Sequence, residues 1–286
     1  MEPVTGVSGA MDWHSFRESR SRRCTQRVPA FGRGGAPPLV IGHRGAPLAA
    51  PENSLASFLA AQKLGADAVE LDLRITADGV IVIFHDAHLG RMTNGEGPLF
   101  ARTLAELQSL RLVEPHTGAR GYGEVCIPTL EVLLQATHGQ LPLLLELKDW
   151  RFLQRRYAAQ LVALLDRYGA PARTAVISFH RPLVQALRAV RRDLPIGHIT
   201  LFDPAPRPGV QLMGPFWPLL LLNPAYVAWA HRMGCLVAPL DTEPEKRMRY
   251  YRWLGVDAVL ADDPAAARAA LDGERGSRKD AKAQRR

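Results

Sequence analysis

The sequence predicts an α/β protein, a (β/α)8 barrel of the TIM type with a small insertion after its second strand. Short apolar segments alternate with helical patterns, and most of these patterns end at a glycine, which is typical of βα units and a parallel sheet. Eight of the apolar segments qualify as main strands, the number that closes such a barrel. A length of 286 residues fits one barrel of about 250 residues with additional tails.

The main strands are predicted from apolar runs bounded by turn residues. They lie near 39–42, 68–73, 142–147, 174–178, 195–200, 219–222, 235–240 and 257–261. A further short strand is expected near 80–84, because Asp78 and Gly79 suit a tight turn directly after the second strand.

Helices are predicted between the strands from apolar periodicity and from the glycines that end them. They cover 54–64, 129–138, 151–168, 181–192, 225–233, 243–254 and 264–272. Two stretches break the alternation. The Gly- and Pro-rich stretch 87–127 is predicted to be an insertion over the barrel mouth, and 201–218 lacks the helix expected between the fifth and sixth strands.

The net charge of +8 belongs mainly to the two ends of the chain. Residues 1–38 carry a net charge of +3, residues 273–286 carry +4, and the segment between them carries +1. We therefore predict a barrel at 39–272 between disordered basic tails at 1–38 and 273–286. We expect no nucleic-acid partner, because the folded part has no basic excess. Solvated tails are favoured over tails that anchor the protein to an anionic surface.

Cysteine usage and hydropathy predict a cytoplasmic protein. Cys24, Cys126 and Cys235 form no closely spaced pair, which favours a reducing compartment. No apolar stretch typical of a leader peptide follows the arginine pair at 22–23. The most apolar segment, 216–230, is interrupted by proline and is shorter than the ~20 residues that span a bilayer. Membrane contact is compatible with the sequence but not required, and the oligomeric state stays open.

Acidic residues occur at the ends of two predicted strands, where a barrel places its active site. Glu70 and Asp72 lie on one face of the second strand because side chains alternate with a period of two, and Glu146 ends the third strand. Burying three carboxylates together is costly unless a cation compensates their charge. Carboxylate oxygens without nearby thiols suit a hard divalent cation, Mg²⁺ or Ca²⁺.

Basic and imidazole groups occur at the same strand ends. Arg44 and Lys148 are predicted to bind phosphate beside the cation. His43, after the first strand, and His85, after the short one, can donate and accept protons near neutral pH. Taken singly, each of these residues is more often a solvated or structural group. Their coincidence at successive strand ends favours a catalytic site.

Four motifs resemble the glycerophosphodiester phosphodiesterase family: HRGAPLAAPENS at 43–54, ELDLRITADG at 70–79, HDAHLGRMTNGEG at 85–97 and ELK at 146–148. The segments ISF at 177–179 and GVDAVLADDP at 255–264 extend the resemblance over most of the predicted barrel. It implies hydrolysis of a glycerophosphodiester to glycerol 3-phosphate and an alcohol. The residues implied are the metal ligands Glu70, Asp72 and Glu146, the acid and base His43 and His85, and the phosphate-binding Arg44 and Lys148.

Three further acidic or amide residues have secondary roles. Glu52 and Asn53 are predicted to order the first loop, with simple capping of the next helix equally supported. Asp86 is predicted to cap its loop, although it could orient a neighbouring group. The resemblance departs from the family at 237–241, where a tryptophan is common and this chain has Val-Ala-Pro-Leu-Asp.

Two alternative functions remain open on sequence alone. A lysophospholipase D would use the same site on a lipid-bearing glycerophosphodiester, and Ala238 with the apolar stretch 201–230 motivates this alternative. A non-catalytic protein that binds membranes or polyanions through its tails is the alternative of another class. It would require a damaged site, whereas every matched catalytic position holds a competent residue.

Overall fold

The structure is a computed structural model that describes residues 12–13, 37–113 and 124–283, with only the backbone described at 274–283. Most of the predicted N-terminal tail therefore lies outside the described residues. Within the described part, no helix has the length and apolar character needed to cross a membrane. The cytoplasmic location stays a prediction.

Eight parallel strands form a nearly closed barrel, which confirms the predicted fold class. In chain order the strands are β1 (Leu39–Gly42), β2 (Ala68–Ile75), β3 (Ile81–Ile83), β4 (Leu143–Leu147), β5 (Thr174–Ser178), β6 (Ile196–Thr200), β7 (Leu212–Pro215), β8 (Leu236–Val237) and β9 (Ala258–Ala261). They pair in the order β8-β7-β6-β5-β4-β2-β1-β9, and β3 pairs antiparallel with β2 outside this order.

Asp257 links the two ends of the sheet between β8 and β9. Its backbone N–H donates to the carbonyl of Val237 at 2.9 Å. Its carboxylate accepts from the N–H of Val237 and pairs with Nε2 of His231, both at 2.8 Å. One side chain thus joins the short strand β8 to the start of β9, where regular pairing stops.

Nine helices of the described chain connect and cover the strands. They are α1 (Leu55–Lys63), α2 (Leu104–Gln108), α3 (Leu130–Ala136), α4 (Arg155–Arg167), α5 (Arg181–Val190), α6 (Trp217–Leu222), α7 (Tyr226–Arg232), α8 (Met248–Leu254) and α9 (Pro264–Ala283). Ser54 begins α1, and its side chain accepts from the N–H of Ser57 at 3.1 Å. Gly255 ends α8 at φ +79°, as a glycine C-cap does.

Side chains of each strand alternate between two cores. On β4, Leu143 and Leu145 pack outward against the helices, whereas Leu144 lies in the barrel interior. Glu146 follows Leu144 on the interior side and is the next-to-last residue of the strand. The strand pattern therefore brings an acidic group to the mouth of the barrel.

Trp13 occupies the opposite end of the barrel. Its side chain is 2% exposed, packs with interior residues such as Leu144, and donates from Nε1 to the carbonyl of Leu143 at 3.2 Å. Leu143 begins β4, so the indole lies far from the strand ends that carry the acids. This residue of the predicted N-terminal tail is part of the interior core, which corrects the prediction at that position.

The insertion after β3 has a small core of its own. Leu89, Met92, Leu99, Leu107 and other apolar side chains bury one another there. Antiparallel bridges, such as that between Thr93 and Leu112, hold its ends together. The insertion predicted at 87–127 thus contains packed structure in its described residues, and residues 114–123 lie outside them.

One predicted element has a different secondary structure, and one has a different end. Residues 219–222, predicted as the sixth main strand, belong to helix α6, and the strand at that place in the barrel is β7, Leu212–Pro215. A short run of leucines does not distinguish a buried strand from a helix, and Pro218 in the first turn favours the helix. The last helix, α9, continues to Ala283, past the tail boundary expected at 272.

Candidate active site

Three carboxylates converge at the mouth of the barrel. Asp72 on β2 lies directly opposite Glu146 on β4 in the sheet register, and Glu70 precedes Asp72 by one strand period. One carboxylate oxygen from each of the three lies within 4.8 Å of the others. All three residues are buried, at 7% exposure or less. Among the described residues this is the one group of acidic side chains that could hold a metal ion.

The pKa values of the three acids shift in different directions: those of Glu70 and Glu146 are raised, and that of Asp72 is lowered. Burial and the neighbouring carboxylates raise the pKa of Glu70 well above its ordinary value, and burial with Asp72 raises that of Glu146 to about 7. Burial would also raise the pKa of Asp72, but Lys148 and Arg44 lower it to about 2. Glu70 and Glu146 therefore bind protons more strongly than exposed carboxylates do, whereas Asp72 binds its proton less strongly. A cation would replace those protons.

Two basic side chains lie against the acids. Lys148 Nζ is 2.8 Å from a carboxylate oxygen of Glu146 and 3.3 Å from one of Asp72. Arg44 donates from its terminal nitrogen to Glu52 at 3.0 Å, and its Nε lies 3.5 Å from Asp72. That Nε is buried without a hydrogen-bond partner in the described structure. Arg44 thus retains an unused donor beside the acid cluster.

The loop after β1 holds Arg44 in an unusual conformation. Arg44 has φ +53° and Gly45 has φ +89°, so two successive residues adopt left-handed values. The loop is also tight, since a Cβ on Gly42 would lie 2.3 Å from the carbonyl oxygen of Gly45. The turn directs the N–H of Arg44 to a carboxylate oxygen of Glu70, at 3.0 Å.

Asn53 supports the acid cluster rather than the helix. Its amide donates to Asp72 at 2.8 Å and its carbonyl accepts from the N–H of Asp72 at 3.3 Å. Capping of α1 is done by Ser54, so the capping role predicted for Asn53 is wrong. Glu52 also has another contact: it binds Arg44 and Arg91 and makes no cap.

The two histidines predicted to be catalytic, His43 and His85, are each paired with an aspartate through Nδ1. His43 Nδ1 lies 2.7 Å from Asp262, and His85 Nδ1 lies 2.6 Å from Asp86. Burial is the largest cause of a lowered pKa at His85, which keeps its imidazole neutral over more of the pH range. Asp86 therefore orients His85, and the prediction that it caps its loop is wrong. The pairing leaves Nε2 of each imidazole for other partners.

Two residues of this network were not predicted as site residues. Asp262 directly follows β9, and its place at a strand end is the signal that could have found it. Arg91, from the insertion, donates to Asp86 at 2.5 Å and to Glu52 at 2.6 Å. No local sequence feature shows that an exposed arginine of the insertion reaches the loop after β1.

The two histidines line different spaces beside the acids. His43, Glu70 and Glu146 line a small cavity that continues into the apolar barrel interior. His85 and Lys148 line an open depression of about 460 Å³ at the edge of the insertion. Lys148 joins the two spaces, because its ammonium contacts Glu146. His43 thus lies beside two of the acids, and His85 lies beside the lysine that contacts them.

This arrangement defines a class of enzyme. Buried acids that could bind a cation, basic groups beside them and two oriented imidazoles, gathered at the mouth of the barrel, are suited to phosphodiester cleavage. The sequence of the chain supports the same class. A sequence model of the glycerophosphoryl diester phosphodiesterase family matches residues 43–266. The chain belongs to this family, which confirms the predicted resemblance and the prediction that the chain is an enzyme.

Relatives and solved structures agree with this assignment. A Mycobacterium tuberculosis protein named probable glycerophosphodiester phosphodiesterase 1 is 31% identical over an alignment of 266 residues that covers 84% of this chain and 94% of that protein. A glycerophosphodiester phosphodiesterase of Caldanaerobacter subterraneus is 30% identical, with 79% and 94% covered. A phosphodiesterase of Oleispira antarctica, solved in complex with its product sn-glycerol 3-phosphate, has a TM-score of 0.72 and 27% identity, with 82% of this chain and 97% of that one covered.

Proposed function

We propose that the protein hydrolyses glycerophosphodiesters to glycerol 3-phosphate and an alcohol, using a divalent cation and two histidines. The observation that carries the proposal is the buried group Glu70, Asp72 and Glu146, with His43 lining the cavity beside these acids and His85 lining the depression beside Lys148. The Oleispira antarctica phosphodiesterase, whose product is sn-glycerol 3-phosphate, supports this choice of substrate. We expect a small-molecule substrate and no nucleic-acid partner.

The acid cluster suits a hard divalent cation, Mg²⁺ or Ca²⁺. Glu70, Asp72 and Glu146 offer oxygen ligands within 4.8 Å of one another, and hard cations prefer such ligands. When ionised, the three acids with Arg44 and Lys148 have one negative charge in excess, and a divalent cation would make the site attractive to a phosphodiester anion. Bound there, the cation would supply stabilisation of charge on the phosphoryl oxygens.

Arg44 and Lys148 are proposed to hold the phosphate. The unpartnered Nε of Arg44 and the ammonium of Lys148 both lie beside Asp72, at 3.5 and 3.3 Å. Their positive charges are already oriented before substrate enters, so little reorganisation is needed as charge develops on the phosphoryl oxygens.

His43 and His85 are proposed to move protons in turn. One imidazole accepts the proton of the attacking hydroxyl as its oxygen bonds to phosphorus, and the other protonates the departing alcohol as its bond to phosphorus breaks. The attacker proposed is the 2-hydroxyl of the glycerol moiety, and water then opens the cyclic phosphate. Asp262 and Asp86 hold Nδ1 of each ring, which leaves Nε2 for the substrate.

Activity of purified variants tests the proposal. His43→Ala and His85→Ala should each reduce hydrolysis of glycerophosphocholine by about 10²-fold or more, because acid–base catalysis contributes on this scale. His138→Ala is the matched control, since His138 is exposed after helix α3, away from the mouth of the barrel, and should retain activity. EDTA should abolish activity, and Mg²⁺ or Ca²⁺ should restore it. Near-normal turnover by a folded His43 or His85 variant, or full activity in EDTA, would contradict the proposal.

One observation favours lysophospholipids as alternative substrates of the same site. Ala238 and His43 line the same cavity. Ala238 belongs to the segment 237–241, which lacks the tryptophan common in the family, so a small side chain forms this wall of the cavity. Comparing kcat/KM for glycerophosphocholine and lysophosphatidylcholine decides between the two substrates. A strong preference for the water-soluble compound would exclude the lysophospholipase D alternative.

A further inference from the structure

Exposed apolar side chains are concentrated at one end of the barrel. Eight of the fourteen large hydrophobic residues that are exposed in the described structure lie in segments that directly follow parallel strands. They are Leu48, Trp150, Leu153, Leu201, Phe202, Phe216, Leu221 and Leu222. All parallel strands end at the face that carries the acid cluster, so these side chains surround the mouth of the site.

Four of them form a patch after β6 and β7, consisting of Leu201, Phe202, Leu221 and Leu222. We call it the rim patch. Phe202 is 85% exposed and Leu222 is 83% exposed, values that are unusual for side chains of this size. The side chain of Asn223 donates to the carbonyl of Pro204 at 3.0 Å, which ties the end of α6 to the loop that carries Phe202.

The rim patch is held rigidly. Phe202 and Asp203 donate from their backbone N–H groups to the hydroxyl of Thr200, at 3.2 and 2.9 Å. The hydroxyl of Tyr250 donates to the carbonyl of Leu220 at 2.7 Å and so fixes α6 against α8. The apolar tips therefore keep their outward positions without having to be ordered by a partner.

Basic side chains adjoin the rim patch. Leu221 also lines a cleft of about 560 Å³ between α6 and the start of α8, together with Lys246, Arg249 and the acidic Glu245. Lys246 pairs with Glu243 at the surface. Both basic residues are exposed. Apolar tips that insert among acyl chains, with cations at the level of the headgroups, are the combination that binds anionic lipid surfaces.

We propose that this face of the protein docks on an anionic phospholipid surface. Phe202 and Leu222 insert among the lipids, while Lys246 and Arg249 contact lipid phosphates. A second protein is a poorer fit, because four side chains are few beside the roughly 20–30 residues a side of a stable interface. Docking turns the mouth of the site toward the lipid. If the proposed function holds, lysophospholipids in that surface are a substrate class of this enzyme.

Co-sedimentation of the full chain with vesicles tests the docking independently of catalysis. We expect the protein to bind phosphatidylglycerol vesicles, to bind phosphatidylcholine vesicles much less, and to dissociate as salt is added. The variant Phe202→Ala/Leu222→Ala should bind phosphatidylglycerol about tenfold less tightly or weaker still. Leu59→Ala/Trp229→Ala is the matched control, since both residues are exposed on helices α1 and α7 at the barrel flank, and it should bind like the wild type.

The charge contribution has its own variant. Lys246→Gln/Arg249→Gln should lower binding to phosphatidylglycerol about tenfold and weaken its salt dependence, because each cation near the surface contributes. All three double variants should hydrolyse glycerophosphocholine at the wild-type rate. If wild type binds the vesicles but hydrolyses no glycerophosphodiester, the proposed function fails and the docking stands.

Three outcomes would overturn the docking. Wild-type protein could stay in the supernatant with both vesicles, or Phe202→Ala/Leu222→Ala could bind as tightly as wild type. The protein could also form a dimer in solution that this variant dissociates, with no vesicle binding, which would assign the rim patch to a second copy of the chain.

Discussion

Replacing Glu146 by glutamine should stabilise the metal-free protein at pH 8 and remove most of its stabilisation by Mg²⁺. Glu146 is 7% exposed and lies opposite Asp72 on the neighbouring strand. At pH 8 its carboxylate is ionised beside another carboxylate in a buried place. Glutamine has nearly the same shape and no charge, so it removes the repulsion without leaving a cavity.

The size of the effect follows from the pKa of Glu146. Burial and Asp72 raise this pKa from 4.5 to about 7. Between about pH 4.5 and 7 the unfolded chain releases a proton that the folded protein keeps, so the free energy of unfolding falls as the pH rises through this range. Above pH 7 the whole penalty, about 3 kcal/mol, is present. This penalty already includes the favourable contact with Lys148, so Glu146→Gln should gain at most about 3 kcal/mol.

Urea unfolding at pH 8, in EDTA and in Mg²⁺, measures both parts of this prediction. Wild type should gain about 2.7 kcal/mol at a Mg²⁺ concentration of 100 times Kd, whereas Glu146→Gln should gain much less. Glu131→Gln is the matched control, because Glu131 pairs with Arg167 at the surface and should change neither value. The reasoning is refuted if Glu146→Gln is the less stable protein in EDTA, or if Mg²⁺ stabilises it as much as wild type.

Two further predictions concern the residues that orient the histidines. Asp262→Asn should lower kcat about tenfold or more with little change in KM, because the carboxylate that pairs with Nδ1 of His43 is lost. Asp263→Asn is the control and should keep kcat, because the side chain of Asp263 caps α9. Equal kcat values for the two variants would exclude a positioning role for Asp262. Arg91→Ala should move the limb of the kcat/KM profile that reports His85 upward by about half a pH unit, because Asp86 then stabilises the protonated imidazole more strongly. Arg91→Lys should restore part of the shift. An unchanged profile in Arg91→Ala would show that this arginine does not act through Asp86.

The parts of the site that lie at strand ends could be predicted from the sequence. Glu70, Asp72 and Glu146 follow buried apolar positions on β2 and β4, and side-chain alternation places all three toward the interior. His43 and Lys148 directly follow β1 and β4. A parallel barrel brings all such positions to one face, so fold class and site were predicted by the same pattern.

Residues whose partners are distant in sequence could not be predicted in this way. Trp13 lies outside every apolar run, and its burial depends on the shape of the barrel end 130 residues further along the chain, at Leu143. The run 219–222 was wrongly predicted as a strand, because apolarity indicates burial and the structure buries only Leu220 of these four while exposing Leu221 and Leu222. Local hydropathy does not report which side of a short segment faces solvent.

The insertion after β3 contributes Arg91 to the hydrogen-bond network of the candidate site. Leu89 and Met92, which lie on either side of Arg91 in the sequence, are buried in the small core of the insertion. Their packing therefore fixes the backbone position of Arg91. Arg91 then binds Glu52 of the loop after β1 and Asp86 of the loop after β3. Glu52 also contacts Arg44, and Asp86 contacts His85. Packing inside the insertion is therefore expected to affect the relative position of these two residues, for which phosphate binding and proton transfer are proposed. Changes in that core are therefore expected to alter catalysis without touching a group that contacts substrate.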